Sequence, residues 1–138
     1  MLHSKTKGNV GELRVAADLA ARGYAVFTEL GDSSKIDLIA DTGKKLLRIQ
    51  VKTQADTSKG TIHVPTRSSG PGYSYYYTPD DIDYFAVYAL DRDEICYIQV
   101  SEMPINKSGN RTGMILRFDK PKNNQTKGIN MVENFRTI

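Results

Sequence analysis

Residues 48–54 read RIQVKTQ, and the fold turns on how they are taken. Ile49 and Val51 fall on one face of an extended chain; Arg48, Gln50 and Lys52 fall on the other. Gln50 and Lys52 then share a face, about 7 Å apart along the strand. An amide and a lysine so placed fit an ordinary polar strand surface. They also fit the end of a chemical site, if an earlier acid is folded back beside them.

The sequence before this stretch supplies that acid. Residues 45–53, KLLRIQVKT, form one strand and 35–41, KIDLIAD, a shorter one, with the turn DTGKK between them. A hairpin of these two brings Asp37 to Gln50 and Lys52. GDSSK (31–35) is loop chemistry, and YAVFTEL (24–30) is a first strand. Asn9 to Arg22, NVGELRVAADLAAR, is expected to be a helix. Its stripe is Val10, Leu13, Ala17 and Ala20, widened by Ala16, with Asn9 as N-cap and Gly23 as stop. Laid over the Gln50 and Lys52 face, this slim helix would bring Glu12 down on the cluster. The spacing of Asn9 and Glu12 also suits a capping box, so a purely local role for Glu12 stays open. Asp37, likewise, could pair with Lys35 or end a turn.

Beyond residue 54 the expected elements are a strand at 61–66 (TIHVPT), a Gly/Ser/Tyr loop at 67–77 and a short helical start at Thr78–Pro79. Two strong strands follow, DYFAVYAL and EICYIQV, joined by the turn DRDE. MILRFD is a last strand, 120–130 a basic polar loop, and MVENF a short closing helix. Neither a repeat nor an interdomain linker interrupts residues 1–138, which are read as one α/β domain with a mixed central sheet.

Phosphodiester hydrolysis explains a cluster of this kind. A hard divalent cation takes oxygen ligands, here Asp37, the Gln50 side-chain carbonyl and the Val51 main-chain carbonyl. Such a cation stabilises charge developing on phosphorus oxygens and acidifies bound water. A neighbouring lysine, Lys52, can hold or deprotonate the attacking water and add positive charge.

The stretch GELRVAADLAARGYAVFTELGDSSKIDLIADTGKKLLRIQVKT resembles the core of the PD-(D/E)xK nuclease superfamily, and within it the small endonucleases associated with group I introns. The resemblance continues in DDIDYFAVYALDRDEICYI and LRFDKPKNNQTKGINMVENF, and so covers nearly the whole chain. It implies a restriction-endonuclease-like core flanked by helices, with an added β-hairpin. The family's helix acid falls on Glu12, a further metal ligand, its metal-binding Asp on Asp37, and its modified (D/E)xK element on Gln50 and Lys52. Gln50 stands where more distant members have a carboxylate, and Ile36 where the usual Pro precedes the Asp. Mg²⁺ is the implied cofactor, with Mn²⁺ as a substitute. The implied assembly is a homo-oligomer, dimer or tetramer, that sets two sites on the two strands of duplex DNA. The site-specific, homing-endonuclease-like reading has two rivals: a Holliday-junction-resolvase-like nuclease and a DNA-binding module with a degenerate site.

Charge distribution fits a polyanionic partner. Net charge is +3, but residues 44–67 hold six Lys/Arg against one acid, and 105–138 hold seven against two, while 79–104 hold seven acids and one arginine. Candidate DNA contacts are Lys5 and Lys7 in an N-terminus with a disordered composition, Lys35, Lys59, Arg67, and Lys120, Lys122, Asn123, Asn124, Gln125 and Lys127 in the basic loop. The single cysteine, Cys96, reads as a buried strand thiol, and His3 and His63 lack companions for a zinc site. Without an apolar run of about 20 residues or a signal-peptide pattern, the expected location is cytoplasmic.

Overall fold

The structure is a computed structural model that describes residues 2–138. The stretch quoted above lies in strand β3 (Leu46–Gln54), the centre of a five-stranded sheet. β1 (Ala25–Thr28) and β2 (Leu38–Asp41) precede it, and β7 (Tyr84–Ala89) and β8 (Glu94–Gln99) complete the order β1-β2-β3-β7-β8. β3 and β7 run parallel, with Gln50 opposite Phe85 and Lys52 opposite Val87, and every other neighbour is antiparallel. This is the mixed sheet anticipated from the alternation, and the β7–β8 hairpin closes over Asp93 at φ 50°.

Helix α1 (Ser4–Ala21) covers one face of that sheet. It starts five residues earlier than expected, after His3, so Lys5 and Lys7 are helical and Asn9 is not its cap. The capping-box alternative for Glu12 falls with that boundary. The buried face is also not the expected one: Gly11, Val15 and Leu19 point inward, while Leu13 is 70% exposed and Ala17 and Ala20 face solvent. Val15 and Leu19 pack on Leu38, Ala40, Leu47, Ile49 and Val51. Each such side chain contributes about 1.5–3 kcal/mol by leaving water. Gly23, at φ 89°, ends the helix as anticipated, its N–H reaching the Ala20 carbonyl at 2.9 Å.

The helix therefore lies against the Ile49 and Val51 face, opposite Gln50 and Lys52. The second face is covered by a three-stranded sheet instead of a second helix. Its order is β10-β9-β4, from β4 (Thr61–Val64), β9 (Met114–Arg117) and β10 (Asn130–Met131). Ile62, Val64 and Leu116 pack there against Phe85, Val87, Cys96 and Ile98. Cys96 is buried as anticipated, and burial pushes its thiol up to about 12.

Two further local expectations are corrected. Residues 67–77 are an ordered β-hairpin, β5 (Arg67–Gly70) and β6 (Tyr73–Tyr76), and not a loop. Pro71 and Gly72, the latter at φ 79°, make its turn. Thr78–Asp81 is a single capped turn that does not extend into a helix, because Asp83 is drawn to Arg48 and the chain enters β7. Residues 132–135 close the chain as a 3₁₀ turn. Among the described residues no helix is long and apolar enough to cross a membrane.

Candidate active site

β2 and β3 converge where the sequence places its chemistry. Asp37 sits just before β2, held in register by its own N–H on the Ile49 carbonyl at 2.9 Å. Its Oδ2 accepts the Val51 N–H at 2.8 Å and the Gln50 Nε2–H at 2.7 Å. Asp37 and Gln50 are thus in direct contact. Lys52 follows two residues on, on the same face as Gln50. Lys35 does not pair with Asp37; its Nζ binds Asp81 at 3.1 Å.

Glu12 approaches from α1 on the other face of the sheet. It shares with Asp37 a cleft of ≈ 250 Å³, also lined by Asn9, Thr28, Glu29, Gly31, Asp32 and Ile36. This meeting depends on Gly11. A Cβ there would lie 1.9 Å from Thr53 Oγ1, so only glycine lets the helix approach β3 this closely. Sequence reasoning passed over Gly11, since a helical glycine has no local signature of close packing.

Electrostatics mark the cluster as crowded with like charge. Burial pushes Asp37 above the usual carboxylate range; the Val51 N–H and Lys52 oppose this, while Asp32 and Glu29 reinforce it. Glu12 is raised by burial, then by Asp37 and Asp32. Burial lowers the Lys52 ammonium, with Asp37 pulling it back up. Half-buried carboxylates set close to further carboxylates have a chemistry that suits a hard cation. Glu12, Asp37, Gln50 and the Val51 carbonyl are the groups that could offer oxygens to such an ion, with Gln50 here turning its amide nitrogen toward Asp37. Among the described residues no three Asp, Glu, His or Cys side chains converge as a metal cage. Glutamine at position 50 accounts for part of that, because it removes one carboxylate from the cluster.

The tyrosine hairpin adds contacts to the lysines that sequence reasoning, which offered these tyrosines for phosphate bonding or stacking from a loop, did not anticipate. Lys52 Nζ lies 5.3 Å from the centre of the Tyr77 ring, and Lys35 Nζ 4.4 Å from that of Tyr75. The signal was present: Tyr73, Tyr75 and Tyr77 recur with the period of a strand. Arg48, two residues before Gln50, also has a structural task. It grips Asp83 through Nε at 3.1 Å and Nη2 at 3.0 Å, and donates to the carbonyls of Asp80 at 2.6 Å and Pro79 at 2.8 Å.

Four of the seven acids of the acidic segment pair with basic residues elsewhere in the chain. Asp81 binds Lys35, Asp83 binds Arg48, Asp93 binds Arg14 and Glu94 binds Arg136. Lys5, Lys7, Lys59, Arg67, Lys120, Lys122 and Lys127 make no ion pair among the described residues. Lys5 and Lys7 lie near the start of α1, where the helix dipole opposes positive charge. Lys59 and the 120–127 loop emerge at one end of the second sheet, where the Phe118 N–H meets the Gly60 carbonyl at 3.1 Å. In that loop Asn123 accepts the Gln125 N–H at 3.1 Å and Gln125 donates to the Lys127 carbonyl at 3.3 Å. Asn124 takes a positive φ of 57°.

Comparison with known proteins bears on this arrangement. No curated protein matches the chain. Among solved structures, a bacterial homing endonuclease, I-Ssp6803I, superposes with a TM-score of 0.75 at 18% identity, over 98% of this chain and 89% of that one. Hjc, a Holliday junction resolvase from Archaeoglobus fulgidus, superposes with a TM-score of 0.51 at 16% identity, over 78% of this chain and 83% of that one. At such identities the likeness concerns the fold. A sequence model described as PD-(D/E)XK endonuclease matches residues 2–138. The chain, with Asp37 just ahead of β2 beside the Gln50-x-Lys52 of β3, belongs to the PD-(D/E)XK endonuclease family.

Proposed function

We propose that this endonuclease hydrolyses double-stranded DNA at a defined site, with a divalent cation, Mg²⁺ or Mn²⁺, held by Glu12, Asp37, Gln50 and Val51. The observation that carries the reading is the contact of Asp37 with Gln50 at 2.7 Å, on the face that Lys52 shares and beside the cleft that Glu12 enters. A cation bound there would supply Lewis-acid stabilisation of the phosphoryl oxygens and acidify its water. Lys52 holds the attacking water and takes its proton; the partial burial that lowers its pKa suits it to that task. Gln50 enters the donor set by turning its amide, because its nitrogen now faces Asp37. Val51 locks Asp37 in place through its N–H while offering its own carbonyl.

The unpaired lysines and arginine supply phosphate contacts, and Asn124 is the best candidate for a base edge. Lys35 holds Asp81 and Tyr75, so its share in DNA binding is the smallest of the set. Action on two antiparallel strands calls for two sites, hence a homo-oligomer. Exposed Leu13, Phe27, Leu30 and Leu46 give such an assembly apolar surface.

The test is cleavage of a panel of plasmids and branched junctions with Mg²⁺ or Mn²⁺, alongside DNA binding. Cutting of linear duplex at one site supports the proposal. Cutting confined to junctions replaces it with a resolvase function, and binding without cutting replaces it with a degenerate DNA-binding module.

A further inference from the structure

An ammonium set into the face of a central strand needs something to hold it. Lys52 makes no ion pair among the described residues. Its ammonium is attracted by Asp37 and lies over the Tyr77 ring, 5.3 Å from Nζ to centroid. That ring is only 3% exposed and is fixed from two sides. Phe85 meets it edge-on at 5.1 Å and 81°, and Tyr75 at 5.3 Å and 72°. Phe85 is also the β7 partner of Gln50, so the ring's support is in register with the Asp37–Gln50 cluster. The Tyr77 N–H closes the base of the hairpin on the Thr66 carbonyl at 2.8 Å. Further out, Tyr73 stacks on Tyr75 at 6.0 Å and 23°, continuing the row to an exposed tip. The Tyr77 hydroxyl faces that of Tyr75 at 3.4 Å, which leaves the ring as the part that serves the lysine.

We propose that Tyr77 is a positioning residue for Lys52: its ring seats the ammonium beside the Asp37–Gln50 cluster, and the β5–β6 hairpin holds the ring through the row Tyr73, Tyr75, Tyr77. The inference rests on the reading of Lys52 as the catalytic lysine. A cation over an aromatic face is attracted by the ring's negative potential, and little of that attraction is lost to water when the site is partly desolvated. The hydroxyl is dispensable to this task and the ring electrons are not.

Replacing a buried tyrosine by leucine endangers the fold, so the test keeps the ring and changes its electrons. Tyr77→Phe is compared with mono-, di- and trifluorinated phenylalanines at the same position, in single-turnover cleavage of saturating DNA at saturating Mg²⁺. Tyr77→Phe is expected within about threefold of the parent, and the trifluoro ring about tenfold slower, in step with fluorine number. Unfolding midpoints and DNA affinity stay level across the series. A flat rate across the series overturns the proposal. A second readout needs neither DNA nor metal: the Lys52 ε-methylene protons, assigned by their loss in Lys52→Arg, should be shifted upfield by the ring current of position 77. Ordinary lysine shifts in the parent overturn the seat itself. Normal cutting by Lys52→Ala would instead remove the catalytic reading, and the proton shift, measured separately, tells the two failures apart.

Discussion

The approach of α1 to β3 at Gly11 makes a quantitative prediction. A Cβ added at Gly11 would stand 1.9 Å from Thr53 Oγ1, 3.3 Å from Thr53 Cβ and 3.6 Å from Val51 Cγ1. Non-bonded carbons rest about 3.5–4.0 Å apart, so only the hydroxyl oxygen is in serious overlap. Thr53 is β-branched and sits in the sheet, with little freedom at χ1 to turn the oxygen away. Gly11→Ala must therefore lift the helix or distort the strand, at about 1–3 kcal/mol. Alanine returns about 1 kcal/mol of helix propensity, leaving a net loss of about 0–2 kcal/mol. Thr53→Ala removes the oxygen and leaves a tight 3.3 Å contact with its Cβ, which needs a shift of only a few tenths of an ångström. It also removes a buried hydroxyl that has no hydrogen-bond partner among the described residues, so its own cost should be small. In that background Gly11→Ala should be close to neutral, with a coupling of up to about 2 kcal/mol. The assay is urea unfolding of the four proteins at one fixed protomer concentration. Equal effects of Gly11→Ala in both backgrounds would refute the reasoning. Because Glu12 is the next residue, cleavage by Gly11→Ala should fall and recover in the double variant.

Asp37→Asn and Lys52→Ala are each expected to abolish cleavage while DNA affinity, read by fluorescence anisotropy, stays within several-fold; normal turnover in either would remove the site assignment. Gln50→Glu should lower the Mg²⁺ needed for half-maximal cleavage by adding a charged oxygen, and Gln50→Leu should raise it or stop cutting, whereas identical titration midpoints for all three proteins would show that Gln50 is no ligand. In metal-free protein the raised pKa of Asp37 means that its ionised form is penalised at neutral pH and relieved as pH falls through the folded-state value. Asp37→Asn, whose oxygen can keep the Val51 N–H, should accordingly stabilise the chelated protein at neutral pH and lose that advantage on acidification, as followed by urea midpoints. Arg48→Lys keeps the charge but not the fork on Asp83 or the bonds to Pro79 and Asp80, and should cost about 1–2 kcal/mol in the same assay. Light scattering should give an oligomeric mass; a monomer both free and on DNA would sink the two-site reading.

Much of the candidate site's geometry was legible because it is built from short-range pattern. A strand alternates its side chains whatever surrounds it, so Gln50 and Lys52 had to share a face and Ile49 and Val51 the other. The tight turn at 41–45 had to fold Asp37 back on them, and Asp37 does meet Gln50. Gly23 had to stop the helix, and DRDE had to turn β7 into β8. The tyrosine row was equally periodic, yet composition led it to be taken for a loop: serine and glycine between aromatic residues look like turn chemistry until the partner strand is known.

What the chain's own order could not decide was which surfaces meet. α1 has small or apolar residues on more than one side, so Leu13, Ala17 and Ala20 made as good a local stripe as Gly11, Val15 and Leu19. The second set wins because Gly11 permits backbone approach to Thr53, a residue 42 positions away in the chain. The same holds for Lys52 over Tyr77 and for Arg48 on Asp83. Sequence periodicity alone determined the direction in which each side chain points from its own strand or helix. Only the tertiary structure decided what it points at, because that depends on close packing between segments remote in the chain, and such packing leaves no trace in local spacing.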